Sequence, residues 1–206
     1  VKQECCQLLC LRPSSKPSCN TIAIHNADGF VAFSDKVNSG STYSETTVLL
    51  ENDIDFSRSA SERFNPIGYR RAGESPYGFL GTLDGQGHAL NSLTVNSSSS
   101  KKDIGLFGYL RGATIRNIVL GPSCTVENSH SISEHAYMGG FVGYCYADFS
   151  RCVIENSVNM AKIQFTGNGN NNNVYIGGIT GVIIGLLGNN PLVKNCANYG
   201  PVMLLG

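Results

Sequence analysis

Apolar residues along this chain recur in short runs, not in long helical stripes. From residue 78 onward, pieces such as Phe79 to Leu83, Ala89 to Val95, Ala113 to Leu120, Ala161 to Phe165 and Leu192 to Cys196 alternate with clusters of Gly, Ser and Asn. That punctuation predicts short strands joined by turns. Upstream, Phe30, Phe33 and Val37 repeat at helical spacing, with Asn26 placed to cap the helix and Asn38-Ser39-Gly40 to end it. Thr46 to Phe56 reads as one strand whose Ile54 and Phe56 alternate with Asp53 and Asp55. Residues 1 to 20 show no sustained period and are expected to form an extended or disulfide-tied arm.

Within the strand-like region one pattern repeats: two glycines frame two mostly apolar residues, and an asparagine follows in or beside an apolar strand. It occurs at Gly105-Leu106-Phe107-Gly108, Gly140-Phe141-Val142-Gly143 and Gly178-Ile179-Thr180-Gly181, with a weaker forerunner at Gly78-Phe79-Leu80-Gly81. The trailing asparagines are Asn117, Asn156 and Asn195, and Asn91 serves the forerunner. Such self-similarity predicts coils that bury their apolar faces only by stacking on one another. Stacked coils lie about 4.8 Å apart, so Asn91, Asn117, Asn156 and Asn195 are expected to form a ladder of side-chain amides. Burying these amides unpaired would cost a few kcal/mol each. The glycines are expected where φ is positive or where two coils approach too closely for a Cβ. The organisation that follows is a Cys-rich arm over residues 1–20 and one all-β stacked domain over residues 21–206.

Composition narrows the function. The chain has 206 residues, 15% of them charged, with Lys plus Arg equal to Asp plus Glu at 15 each. This balance lacks the basic stripe that nucleic acid or an anionic membrane requires. The longest apolar stretch, Val174 to Gly188, is rich in glycine and falls short of the roughly 20 residues of a membrane helix, so no membrane insertion is expected. The eight cysteines, Cys5, Cys6, Cys10, Cys19, Cys124, Cys145, Cys152 and Cys196, include no CxxC pair. An even count without metal-type spacing points to disulfides and an oxidising, secreted or cell-surface setting. Cys145 and Cys152 are close enough in sequence to staple a loop, while the full connectivity stays open. The start at Val1 fits a removed secretory leader or a trimmed chain. Asn96-Ser97-Ser98 matches a glycosylation acceptor in a serine-rich stretch expected to be exposed.

The segments IGLFGYLRGATIRNIVL, MGGFVGYCYADFSRCVIENSVN and IGGITGVIIGLLGNNPLVKNCANYGPV resemble GLUG-type repeats, and FNPIG and FLGTLDGQGHAL resemble the coils that commonly precede them. The likeness covers about residues 21 to 206. It implies a parallel β-helix (β-solenoid) of the kind found in large secreted or surface proteins of bacteria and protists. The short helix would cap its first rung. Thr180 stands where an apolar residue is usual, Ser157 stands where the next repeat has Cys196, and the Cys-rich arm lies outside the pattern.

Parallel β-helices also serve as polysaccharide lyases and hydrolases, which need paired carboxylates or a base with calcium. Asp53, Asp55, Asp84 and His88 are the residues to weigh. They are sparse, and no carboxylate neighbours His88 in sequence, so no catalytic residue, cofactor or metal is assigned. His130 and His135 share one loop with Glu134 but lack a ligand spacing. The chain closes on apolar Val202-Met203-Leu204-Leu205-Gly206, and an uncapped coil invites another chain to add on. A piece cut from a longer stack would look the same. In the arm, the apolar piece around Leu8 and Leu9 could reach a neighbour by strand addition. Leu8, Leu9, Val202, Leu204 and Leu205 are therefore the self-association candidates. The expected function is a secreted structural or adhesive surface protein assembling end to end into a filament. The alternative is a carbohydrate-binding or polysaccharide-cleaving β-helix, with Tyr69, Tyr77, Tyr144 and Tyr146 as sugar contacts.

Overall fold

Each strand pairs in parallel with its counterpart one turn later, and this pairing builds a right-through stack of sheets: a parallel β-solenoid of about 4 turns. The computed structural model describes residues 20–58, 64–70, 78–96, 102–132, 134–148, 150–168, 172–186 and 188–205. Cys5, Cys6, Cys10, Cys19, Leu8, Leu9 and Tyr77 fall outside these residues.

The chain enters through β1 (Asn20–Ile24) and α1 (Ala27–Asn38). Turn one holds β2 (Thr46–Leu50), β3 (Ile54–Asp55) and single bridges at Phe64, Ile67 and Phe79. Turn two holds β4 (Thr82–Asp84), β5 (Ala89–Asn91), β6 (Thr94–Asn96), β7 (Asp103–Ile104) and β8 (Phe107–Arg111). Turn three holds β9 (Thr114–Arg116), β10 (Val119–Leu120), β11 (Thr125–Asn128), β12 (Ala136–Gly139) and β13 (Val142–Ala147). Turn four holds β14 (Val153–Glu155), β15 (Val158–Asn159), β16 (Lys162–Phe165), β17 (Val174–Gly177) and β18 (Thr180–Gly185). The last strands, β19 (Leu192–Lys194), β20 (Ala197–Asn198) and β21 (Val202–Leu204), begin a fifth turn. The longest sheet runs β1-β2-β4-β9-β14-β19, and four others wrap the remaining faces.

Alternation along each strand decides the inside. Val48, Leu83, Ile115 and Ile154 stand in register across four turns and are fully buried. The helix forms where its spacing predicts. Asn26 Oδ1 accepts the Gly29 N–H at 2.9 Å, and Phe30, Phe33 and Val37 pack inward over the first turns. Phe33 meets Phe79 and Tyr43, and Phe30 meets Phe56 and Phe64. The predicted strand over Thr46 to Phe56 divides instead into β2 and β3, because Glu51, Asn52 and Asp53 are exposed and carry the chain around a corner. Ala89 to Val95 and Ala113 to Leu120 divide at corners in the same way.

Asparagine makes one family of corners. After β9, β14 and β19 the chain passes through Asn117, Asn156 and Asn195 with φ of 54°, 50° and 52°, a left-handed conformation that asparagine tolerates better than other side chains with a Cβ. Their amides are linked: Asn195 Nδ2 donates to Asn156 Oδ1 at 3.1 Å, and Asn156 Nδ2 to Asn117 Oδ1 at 3.3 Å. Asn91 does not belong to this ladder. It lies on β5 one corner later, where the left-handed residue is Ser92. The ladder's base is Asp84, whose Oδ1 accepts from Asn117 Nδ2 at 3.0 Å. The corner after Asp84 carries the extra residues Gln86 and Gly87, which hide the equivalence from a sequence count.

The framing glycines are required by close approach, since none of Gly105, Gly108, Gly140, Gly143, Gly178 and Gly181 has a positive φ. A Cβ on Gly105 would sit 2.8 Å from Gly139 O and 2.9 Å from Gly143 N, so the next coil leaves no room. The forerunner Gly78 to Gly81 is out of phase with these pairs. Phe79 bridges Leu110, whereas Ile67 bridges Phe107, so Ile67-Gly68 is the true counterpart of Phe107-Gly108.

Asn156 both donates and accepts within the ladder while holding a left-handed corner. Asn156→Ala is expected to lose about 1–3 kcal/mol of stability by urea denaturation. Asn156→Gly, which relieves the backbone, should lose less than the alanine variant.

Candidate functional site

Three surfaces of the solenoid gather the residues singled out in the sequence. The first runs beside the asparagine ladder. At the residue before each corner the side chains alternate in sign through four turns: Asp84 pairs with Arg116, Arg116 with Glu155, and Glu155 with Lys194. Arg116 Nε donates to Asp84 Oδ2 at 2.9 Å, and Lys194 Nζ lies 3.3 Å from Glu155 Oε2. Parallel stacking sets each side chain on its counterpart, so equal charges would repel and alternating ones attract. A groove of about 510 Å³ along this face is lined by Asp84, Gln86, Gly87, Asn117, Val119 and Asn156. Asp84 is the single carboxylate among these lining residues, and it is tied by Arg116, Asn117 and the Gln86 N–H. Burial alone would raise its pKa, but these donors outweigh it and hold the carboxyl below its usual range. Asp53 and Asp55 sit at the neighbouring corner. There the structure supplies what the sequence does not display, a carboxylate beside His88: Asp53 Oδ1 lies 3.2 Å from His88 Nδ1 and also accepts the Ala89 N–H at 2.9 Å. The Ala89 N–H and then His88 lower the Asp53 pKa. Asp55 is likewise lowered, first by the Ser57 N–H.

The second surface is aromatic. Tyr137 of β12 and Tyr175 of β17 are register partners, and their rings stack 5.2 Å apart at 11°. Tyr144 of β13 packs edge-on against Tyr137 and lies beside Tyr109 and Tyr146. Arg70 crosses this cluster. Its guanidinium sits 3.5 Å from the Tyr144 ring centroid while it forks onto buried Asp103 with two contacts of 2.6 Å. Burial pushes the Tyr109 hydroxyl up to about 12. Next to the cluster lies a recess of about 260 Å³ lined by Arg70, Lys102, Glu134, His135, Tyr137 and Asn172, with Lys102 paired to Glu134. Tyr175 is exposed, with Tyr137 stacked on it and the His135 ring set nearly perpendicular to it at 6.2 Å.

The third surface is the outer face of the last described turn. Core-facing Ile154, Ile163 and Phe165 are 0%, 0% and 1% exposed, whereas the partners stacked on them, Val193, Val202 and Leu204, are 41%, 42% and 59% exposed. Ile183, which stacks on Cys145, is 38% exposed. Leu205 and Tyr199 are also open to solvent. At the opposite end α1 covers the core and turns Asp28, Asp35 and Lys36 outward.

Other candidate residues are placed differently from expectation. Asn96 ends β6 as a buried residue whose Nδ2 donates to Glu127 Oε1 at 3.0 Å, not in an exposed loop, because its strand register turns it against β11. Cys124, Cys145, Cys152 and Cys196 carry free thiols, and the Cys152 sulfur lies 3.3 Å from the carbonyl of Tyr146, the residue after Cys145. Cys124 and Cys196 each contact backbone carbonyls elsewhere. His135 Nδ1 accepts the Asn173 N–H, and the His130 N–H donates to Asn128 Oδ1. Among the described residues no three His, Cys, Asp or Glu side chains converge as a metal group, and no helix is long and apolar enough to cross a membrane. Sequence reasoning missed a second amide ladder: fully buried Asn159 donates to Asn198 Oδ1 at 2.7 Å and to Gly178 O at 3.0 Å. Its signal was the paired Asn156-Ser157-Val158-Asn159 and Asn195-Cys196-Ala197-Asn198. No protein-family model, curated protein or solved structure matches the chain.

Because the folded Asp84 pKa is depressed, its stabilising contribution is present above the unfolded value of about 4 and is lost as pH falls through the lower folded value. Asp84→Asn should therefore give a shallower loss of stability below about pH 4 than the parent protein, measured by denaturation across pH.

Proposed function

We propose that this chain is a structural and adhesive surface element of GLUG-repeat type that associates through the outer face of its last described turn. The observation that carries this reading is the exposure of Ile183, Val193, Val202 and Leu204, side chains that face the core in every earlier turn. Covering them with another coil removes apolar surface from water, worth roughly 25 cal/mol per Å², and pairs the free edges of β17 to β21. Such a contact joins unlike surfaces and leads to chains of molecules where it does not close. Eight cysteines support a secreted or cell-surface location.

Negative-stain microscopy and light scattering of the unreduced protein over a range of concentrations test this reading. Concentration-dependent rods or filaments are expected. Ile183→Lys with Leu204→Lys should abolish them without changing the circular dichroism, since both side chains already meet solvent. A parent protein that remains monomeric throughout would sink the proposal.

A second reading rests on the tyrosine face. The exposed ring of Tyr175, with Arg70 and the adjoining recess, suits a glycan chain that packs on an aromatic ring and hydrogen-bonds to polar neighbours. Binding on a glycan array that falls at least tenfold with Tyr175→Ala would support it, and unchanged binding would remove Tyr175 from the site.

A further inference from the structure

One corner of the core holds two sulfurs with no role in the surfaces above. Cys145 lies near the middle of β13 with its side chain inward, and Cys152 immediately precedes β14; both are fully buried. The Cys152 sulfur lies 4.0 Å from the carbonyl of Leu110, the register partner of Cys145 one turn earlier, so both sulfurs occupy one corner, where each shifts the titration of the other. Around Cys152, the Gly112 N–H donates to Sγ at 3.1 Å and the thiol faces Tyr146 O at 3.3 Å. Among the described residues, Cys124 and Cys196 are met instead by backbone carbonyls, Cys124 by Leu90 O and Cys196 by Ile154 O and Lys194 O.

We propose that Cys145 and Cys152 are a specific disulfide-forming pair, a covalent staple across the corner joining the β13 sheet to the β14 sheet. The electron acceptor is a low-molecular-weight disulfide, and the bond closes while the chain folds, before the corner is sealed. The Cys152 thiolate attacks one sulfur of the acceptor, breaking its S–S bond and releasing one thiolate. Cys145 then loses its proton and attacks the mixed disulfide at the Cys152 sulfur, releasing the second. Two protein S–H bonds are lost, one protein S–S bond forms, and the acceptor is reduced to two thiols. Cys152 is the first nucleophile because the Gly112 N–H of the preceding turn reaches its sulfur at 3.1 Å and favours negative charge there as soon as that turn docks, before Cys145 is closed in. In the closed corner the neighbouring Cys145 and then the Gly112 N–H hold the Cys152 thiol below its usual range, while Cys145 is raised by facing that sulfur.

The experiment is refolding of the full chain from urea in a buffer of oxidised and reduced glutathione, followed by alkylation under denaturing conditions and peptide mapping. The expected product is a Cys145–Cys152 linked peptide lighter by two hydrogen atoms, with Cys124 and Cys196 alkylated. Its melting temperature should fall by roughly 5–10 °C on reduction. Cys145→Ala with Cys152→Ala should remove the part of the reductant sensitivity due to this link, leaving any contribution from the other cysteines. Alkylation of both residues after oxidative refolding, pairing of either with another cysteine, or an equal reductant shift in the parent and double variant would overturn the proposal. None of these results depends on whether the last described turn associates.

Discussion

In-register parallel stacking is the constraint on which every other feature of this molecule depends. Each residue of a turn lies about 4.8 Å from its counterpart in the next, so a position accepts only residues that tolerate that neighbour. Aliphatic side chains satisfy it by packing, as Leu83, Ile115 and Ile154 do. Amides satisfy it by bonding to themselves, as Asn117, Asn156 and Asn195 do. Charges satisfy it by changing sign, and glycine satisfies it where backbones touch.

The described interior of the stack is mostly apolar. Its polar side chains are consumed by axial contacts: Asp84 by Arg116 and Asn117, Asp103 by Arg70, and Asn159 by Asn198 and Gly178. Buried polar groups treated in this way specify register, because a shift would leave them unpaired. The surfaces left to act are the sides and the end, which is why the functional reading turns on exposed tyrosines and uncovered aliphatic side chains.

The solenoid, the capping helix and the Asn117, Asn156 and Asn195 corners were legible because each follows a local rule: period, cap or left-handed tolerance. Asn91 and Gly78 misled because the early turns carry corners of different length, and phase is set by pairing across turns. Asn96 misled because a triplet says nothing of which way its strand faces. The approach of Asp53 to His88 spans two turns and has no trace in neighbouring residues. The alternating column was readable at Asp84-Gly85, Arg116-Asn117, Glu155-Asn156 and Lys194-Asn195, once those corners are aligned.

That column has a further consequence. Its structural period is one turn but its electrical period is two, so the solenoid has parity. It reads negative, positive, negative, positive from Asp84 to Lys194, and a coil laid upon Lys194 continues the sequence only if it brings an acid there. The amide ladder is also directional, each Nδ2 donating toward the helix-covered end and leaving the Asn195 oxygen as the outermost acceptor. Together they act as a key with both a phase and an orientation, by which the stack distinguishes a matching coil from one that is merely apolar.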